Sequence, residues 1–268
     1  MNVRKPAVSG QFYPGNPSRL FKEIERLIDP DIDKQKAIGV VSPHAGLMYS
    51  GQVAGKVFSS VDIPESVIIL GPNHTGYGPQ ASIMESGSWQ MPMGNVNIDQ
   101  DLAQAIILNS DILQSDISAQ MLEHSIEVQV PFLQYFHSDI KIVPIILGGY
   151  SLSMCKSLAK AIVQGIKSND KDTLIVASTD LTHYKSQTEA NLADHKVIDK
   201  ILNLDARGLF DTVIQEGISM CGVIPVTTMI LAAKEMKAQN ATLVKYMTSG
   251  DISGDYNQVV GYAGIIIN

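Results

Sequence analysis

What most constrains the fold is a rhythm in the sequence. Short apolar runs bounded by turn residues alternate with longer stretches in which apolar residues recur every three or four positions. The runs fall at 37–42 (AIGVVS), 66–71 (SVIILG), 141–148 (KIVPIILG), 173–178 (TLIVAS), 242–247 (TLVKYM) and 259–267 (VVGYAGIII). Most are near-continuously apolar, the pattern of strands covered on both faces. Between them, 18–28 sets Leu20, Phe21, Ile24, Leu27 and Ile28 at helical spacing, and 100–108, 152–166, 191–202 and 225–236 read as further helices. Strand–helix alternation predicts an α/β fold with a mixed, largely parallel central sheet and helices on both faces. No long polar stretch divides the 268 residues, so 1–268 is expected to form one domain, a length that α/β domains of ~250 residues approach. Such sheets bind ligands beyond the carboxyl ends of their strands.

Composition narrows the function classes. Twenty Lys and Arg against 27 Asp and Glu leave a net charge of −7, and 45% of residues are hydrophobic. That is too apolar for a disordered chain and too acidic for an electrostatic nucleic-acid binder. No apolar run approaches the ~18–20 residues that span a bilayer. The opening MNVRKPAVSGQFYPG lacks the ~7–15-residue apolar core of a signal peptide. Two cysteines cannot build a disulfide framework. A cytoplasmic protein with no nucleic-acid or membrane partner is expected.

The six histidines and two cysteines are the scarce, chemically special residues, and their positions are not random. The first strand runs out into Ser42-Pro43-His44-Ala45-Gly46, the second into Gly71-Pro72-Asn73-His74, and 173–178 into Thr179-Asp180-Leu181-Thr182-His183. Parallel strands would bring these three ends to one edge, where three imidazoles can converge. Flanking Pro and Gly restrict the turns that carry them. Alone, each His reads more readily as a capping or solvated residue near a strand end; their joint placement favours a shared site. His124 lies in Glu123-His124-Ser125-Ile126-Glu127 ahead of a helix, where the acids alone read as a charged first turn. His137 and His195 sit in polar surroundings and read as surface residues, and Cys155 as a core residue inside a helix. Cys221 precedes the helix opened by Pro225, and a thiol near a helix N-terminus has its thiolate favoured. Imidazoles with one anionic ligand are the donors of Zn and non-haem Fe sites, and a thiolate brings Zn and Cu(I) into competition with iron.

The ordered pieces Ala7-Val8-Ser9-Gly10-Gln11-Phe12-Tyr13-Pro14, Pro43-His44-Ala45-Gly46, Leu70-Gly71-Pro72-Asn73-His74, Glu123-His124-Ser125-Ile126-Glu127, Ile142-Val143-Pro144, Ser178-Thr179-Asp180-Leu181-Thr182-His183 and Cys221-Gly222 resemble the Memo family across nearly the whole chain. The resemblance implies a fold similar to the class III extradiol dioxygenases of the LigB type, which use non-haem Fe(II). It puts the metal ligands on His44, His74 and Cys221 and the catalytic positions on His124, His183 and Asp180. It implies Fe(II), with Zn(II) or Cu as alternatives, and a small organic substrate. It also suggests AMMECR-type and radical-SAM proteins as partners in one system. The dioxygenases carry a carboxylate where this chain has Cys221, so their activity does not follow from the fold. Val223-Ile224 stand where animal members have a more basic stretch, and no Arg cluster suited to phosphotyrosine is present. Three functions stay open: a metal-dependent oxidoreductase of dioxygenase type, a metal- or peptide-binding scaffold without catalysis, and a zinc hydrolase with Glu127 or Asp180 as base.

Overall fold

The computed structural model describes residues 2–149 and 151–268. One sheet runs through it. Its strands are β1 (Val3–Arg4), β2 (Gly39–Ser42), β3 (Ser66–Pro72), β4 (Ala81–Ile83), β5 (Ser88–Met91), β6 (Gly94–Ile98), β7 (Gln114–Ser115), β8 (Lys141–Leu147), β9 (Thr173–Ser178), β10 (His183–Lys185), β11 (Ala241–Thr248) and β12 (Val259–Ile267). The path β1-β5-β6-β8-β3-β9-β2-β12-β10 carries β11 on β12 and β4 on β8. β6, β8, β3, β9 and β2 are parallel neighbours, and β12 returns antiparallel to β2. This is the mixed sheet that the apolar runs predict. β3 is buried at all seven positions, and its neighbours β8 and β9 nearly so, as expected of strands covered on both faces.

The helices are α1 (Pro17–Leu27), α2 (Leu47–Ser59), α3 (Gln100–Leu108), α4 (Ser118–Met121), α5 (Val130–Phe136), α6 (Leu152–Asn169), α7 (Gln187–Leu202), α8 (Ala206–Glu216), α9 (Val223–Glu235) and α10 (Gly250–Ser253). α9 packs across β2, β3 and β9 and is flanked by α6 and α8, while α2 packs on β2, β11 and β12 beside α1 and α5. α9 is buried almost all round, so it shows no apolar stripe. Of the eleven strands and helices foreseen from periodicity, β9, β12 and α3 match at both ends, and the other eight gain or lose only end residues.

Other elements escaped the pattern for physical reasons. α2 (LMYSGQVAGKVFS) has two glycines where a helix usually has better formers. Gly55 abuts the backbone of Leu27, and Gly51 its side chain, so any larger residue would push α1 away. β1, β7 and β10 are two- or three-residue edge strands, too short to show alternation.

Candidate metal centre

Strand register builds the site. Ser42 at the end of β2 pairs with Ser178 at the end of β9, and the chain leaves β2 through Pro43 to His44. β3 ends at Pro72 and delivers His74 two residues later. Cys221 enters from the turn before α9, whose N-cap is Gly222. Gly222 lies against Ser178 O and the Thr179 side chain, leaving no space for a Cβ, so the close approach of this turn to β9 requires glycine.

The loops meet. Cys221 Sγ lies 3.3 Å from His44 Nε2. One donor atom each from His44, His74 and Cys221 falls within 4.8 Å of the others. Donors sharing one ion at ~2.0–2.3 Å stand roughly 3–4 Å apart, so this set suits a single metal with modest closure. The His124 ring stacks on His74 at 4.6 Å and meets His44 edge-on at 5.4 Å.

Three of the four imidazoles, His44, His74 and His183, are oriented by ring-nitrogen hydrogen bonds. Glu123, almost fully buried, accepts from His74 Nδ1 at 2.9 Å and from the backbone N–H of His74, His124 and Ser125. The His74 ring therefore donates through Nδ1 and keeps Nε2 free, the arrangement that metal-bound histidines use. His183 Nδ1 lies 2.9 Å from Ser219 O. A carbonyl only accepts, so His183 also carries its proton on Nδ1 when neutral. Asp180 Oδ1 accepts from His44 N at 2.8 Å, and Asp180 N donates to Cys221 Sγ at 3.2 Å. Asp180 thus braces the His44 loop with its carboxylate and the thiol with its backbone N–H.

A cavity of about 790 Å³ opens over the group. His44, His74, His124, His183 and Asp180 line it with Phe12, Tyr49, Tyr184 and Tyr262. The four histidines assigned to the site, with Asp180, therefore face the same space. Cys221 is not part of this lining.

Burial sets the electrostatics. It holds His44 well below the usual imidazole range, and the neighbouring rings of His124, His74 and His183 add to this. Burial also lowers His124. At His74 burial acts the same way, but the hydrogen bond and charge of Glu123 outweigh it and raise the pKa. Glu123 resists its own burial through His74 and the backbone N–H donors and drops to about 2. Burial pushes Asp180 up to about 6. It pushes Cys221, with help from the Asp180 charge, up to about 12. Without a metal Cys221 is a thiol: its place before α9 does not favour the thiolate, because desolvation exceeds the effect of the helix end. A metal supplies the charge that would deprotonate it.

Other expectations need correction. Glu123 and Glu127 are not a solvated first turn. The helix α5 starts only at Val130, after a 3₁₀ turn at Glu127–Gln129, and both acids are buried. Glu127 pairs with fully buried Arg4, accepts from Ala7 N (2.7 Å) and Val8 N (3.0 Å), and bonds Tyr13 OH. It has no lone pair to spare as a hydrolytic base. His137 is half-buried at the end of α5, whereas His195 is exposed and Cys155 fully buried as expected. Sequence reasoning missed Arg4, Ser178 and Gln129 as supports of the site. No local pattern marks them, because their partners lie far away along the chain.

Comparison with known proteins gives a consistent picture. A family model described as Memo-like protein matches residues 4–266. A MEMO1 family protein of Methanopyrus kandleri is 43% identical, with 98% of each chain covered. One of Methanosarcina mazei is 42% identical over the full length of both. The crystal structure of an uncharacterized protein from Escherichia coli K12 shares the fold: TM-score 0.52, 14% identity, 86% of this chain and 100% of that one covered.

Proposed function

The chain belongs to the Memo-like family, and from that premise we propose that it is a metal-dependent oxidoreductase of dioxygenase type acting on a small organic substrate. The observation that carries this reading is the His44, His74 and Cys221 donor group set beneath a cavity lined by two further histidines. Fe(II) held by these three residues would supply redox chemistry and open coordination positions for substrate and O2. Zn(II) or Cu would suit the softer thiolate and compete for the same donors.

The protein's own groups have separable tasks. His183, with its Nδ1 proton committed to Ser219 O, offers Nε2 as acceptor for a substrate hydroxyl proton. His124, held neutral by burial, is the second proton-transfer group. Asp180 fixes the His44 backbone and so positions a ligand rather than attacking substrate. Phe12, Tyr49 and Tyr262 give the cavity aromatic walls, while the lining includes Glu23 and Asp180 and neither Lys nor Arg. Such a wall favours an uncharged or cationic aromatic compound over an anionic phosphate or carboxylate. It gives no support to phosphotyrosine recognition.

The test combines metal and oxygen. After anaerobic reconstitution with Fe(II), wild type should hold about one iron per chain, and His44→Ala and Cys221→Ala should lose it. Oxygen consumption by the iron-loaded protein should rise on adding at least one member of a panel of neutral and cationic catechols. Full iron retention by both variants would refute the site. Stoichiometric iron without any substrate-dependent oxygen uptake would instead favour the non-catalytic scaffold.

A further inference from the structure

The proton on His44 is not decided by an obligate acceptor, as it is for His74 and His183. Its Nδ1 lies 2.8 Å from Ser178 Oγ, a hydroxyl that can donate or accept. The neighbours of that hydroxyl remove the ambiguity. Ser178 Oγ is 2.7 Å from Ser125 O, which only accepts, so the single hydroxyl proton belongs there. Gln129 Nε2 lies 2.8 Å from the same oxygen and 2.9 Å from Pro43 O. Pro43 O demands a donor, so the Gln129 amide presents its NH2 group to this corner, and its second proton goes to Ser178. Ser178 Oγ thus gives its one proton and fills one lone pair, and its other lone pair must be filled by N–H from His44. Ser125, Gln129 and Ser178 are all fully buried, out of reach of bulk solvent.

We infer that Ser178 and Gln129 are positioning residues that fix His44 as the Nδ1–H tautomer and leave the lone pair on Nε2, the nitrogen beside Cys221 Sγ. The opposite tautomer would leave two bare oxygens, Ser178 Oγ and Ser125 O, 2.7 Å apart in a buried site. The inference rests on the metal-centre reading for its purpose, since a free Nε2 is what a metal requires of His44, but not for its geometry. Gln129 also ties together the ends of β2 and β9, so the lock and the loop placement are one device. Its Oε1 has no partner, and its Nε2 also lies 3.4 Å from Ser42 O, the longest of its three contacts, so all of the amide's bonds serve this corner.

The experiment reads the tautomer directly in the metal-free, full-length chain. Long-range ¹H–¹⁵N correlation of ¹⁵N-histidine-labelled protein should show His44 protonated at Nδ1, with the signals assigned by their loss in His44→Gln. Ser178→Ala should mix or invert the His44 tautomers, leave His74 unchanged as an internal reference, and weaken Zn(II) binding by roughly 10–100-fold. A wild-type His44 protonated at Nε2 overturns the inference, and this reading needs no variant to fold. So does a folded Ser178→Ala protein with unchanged tautomer and Zn(II) affinity. A chain with Nδ1–H on His44 that binds no metal upholds the inference and removes the metal-centre reading, so the two failures are distinct.

Discussion

The two edges of the parallel strands carry polar groups in opposite ways. At the amino edge, Lys36 pairs with Asp172, Lys141 with Glu65 and Lys171 with Asp99. Most of these side chains are open to solvent, each sign answered by the other. At the carboxyl edge the charges are buried, and few are answered by a simple opposite charge. Glu123 is held by three backbone N–H groups and one imidazole, and Asp180 by the His44 N–H. Both edges have cavities, of about 790 Å³ at the carboxyl end and 560 Å³ at the amino end. The first is lined by four histidines and the second by none. The lesson is that, apart from the Arg4–Glu127 pair, buried polarity at the carboxyl edge goes into orientation: its hydrogen bonds place rings, a thiol and the loops that carry them rather than balancing charges.

Substitutions can break this contrast. The largest effect is expected at Arg4, which lies fully buried over Trp89 and reaches Glu127, Gln120 O and Glu123 O. Arg4→Met leaves Glu127 an unpaired buried charge and should cost about 3–5 kcal/mol in denaturant unfolding. It should also loosen the Glu123–Glu127 segment and lower metal occupancy. A loss below about 1 kcal/mol would mean that the buried pair does not organise this edge.

Next in size is Glu123→Gln. An amide presents N–H to at least one of the four N–H groups that Glu123 now accepts, so metal affinity should fall roughly 10–100-fold in direct titration. Unchanged affinity would detach Glu123 from the site.

Glu123 also makes a pH prediction for the metal-free chain. Its folded pKa, about 2, lies below its ordinary 4.5. The stability it contributes is complete above pH 4.5 and is lost as pH falls through that value toward 2. Glu123→Gln should therefore flatten the stability curve over that window; near neutrality it should also remove the stabilisation tied to the raised His74 pKa, which is present below the ordinary imidazole value of 6.5 and lost as pH rises through the raised one.

The smallest effect belongs to the amino edge. Lys36→Ala breaks an exposed pair with Asp172 and should leave both the melting temperature and metal affinity within error of wild type. A clear change in affinity would show that the two edges are coupled.

Much of this architecture is written locally in the chain. TLIVAS and QDLAQAIIL reveal β9 and α3 to the residue, since burial on two faces or one needs only neighbouring side chains. His44, His74 and His183 are legible because each follows a strand end through Pro, Gly or Thr-Asp turns that repeat a recognisable place in the topology. Glu123 and Glu127 are not legible: four residues apart, they look like one solvated turn. Their roles come from His74 and Arg4, 49 and 123 positions away. Cys221 was recognisable by position, but its protonation was not, because desolvation is a property of the packed site. Nor can sequence assign the proton on His44, which follows from a count over Ser125, Gln129 and Ser178.

The central claim, one metal held jointly by His44, His74 and Cys221, is tested most directly by X-ray absorption on the metal-loaded chain. With Zn(II) as the probe, the account predicts one sulfur at about 2.3 Å together with imidazole nitrogens at about 2.0–2.1 Å, and loss of the sulfur shell in Cys221→Ser. A wild-type spectrum with no sulfur in the coordination shell would contradict it.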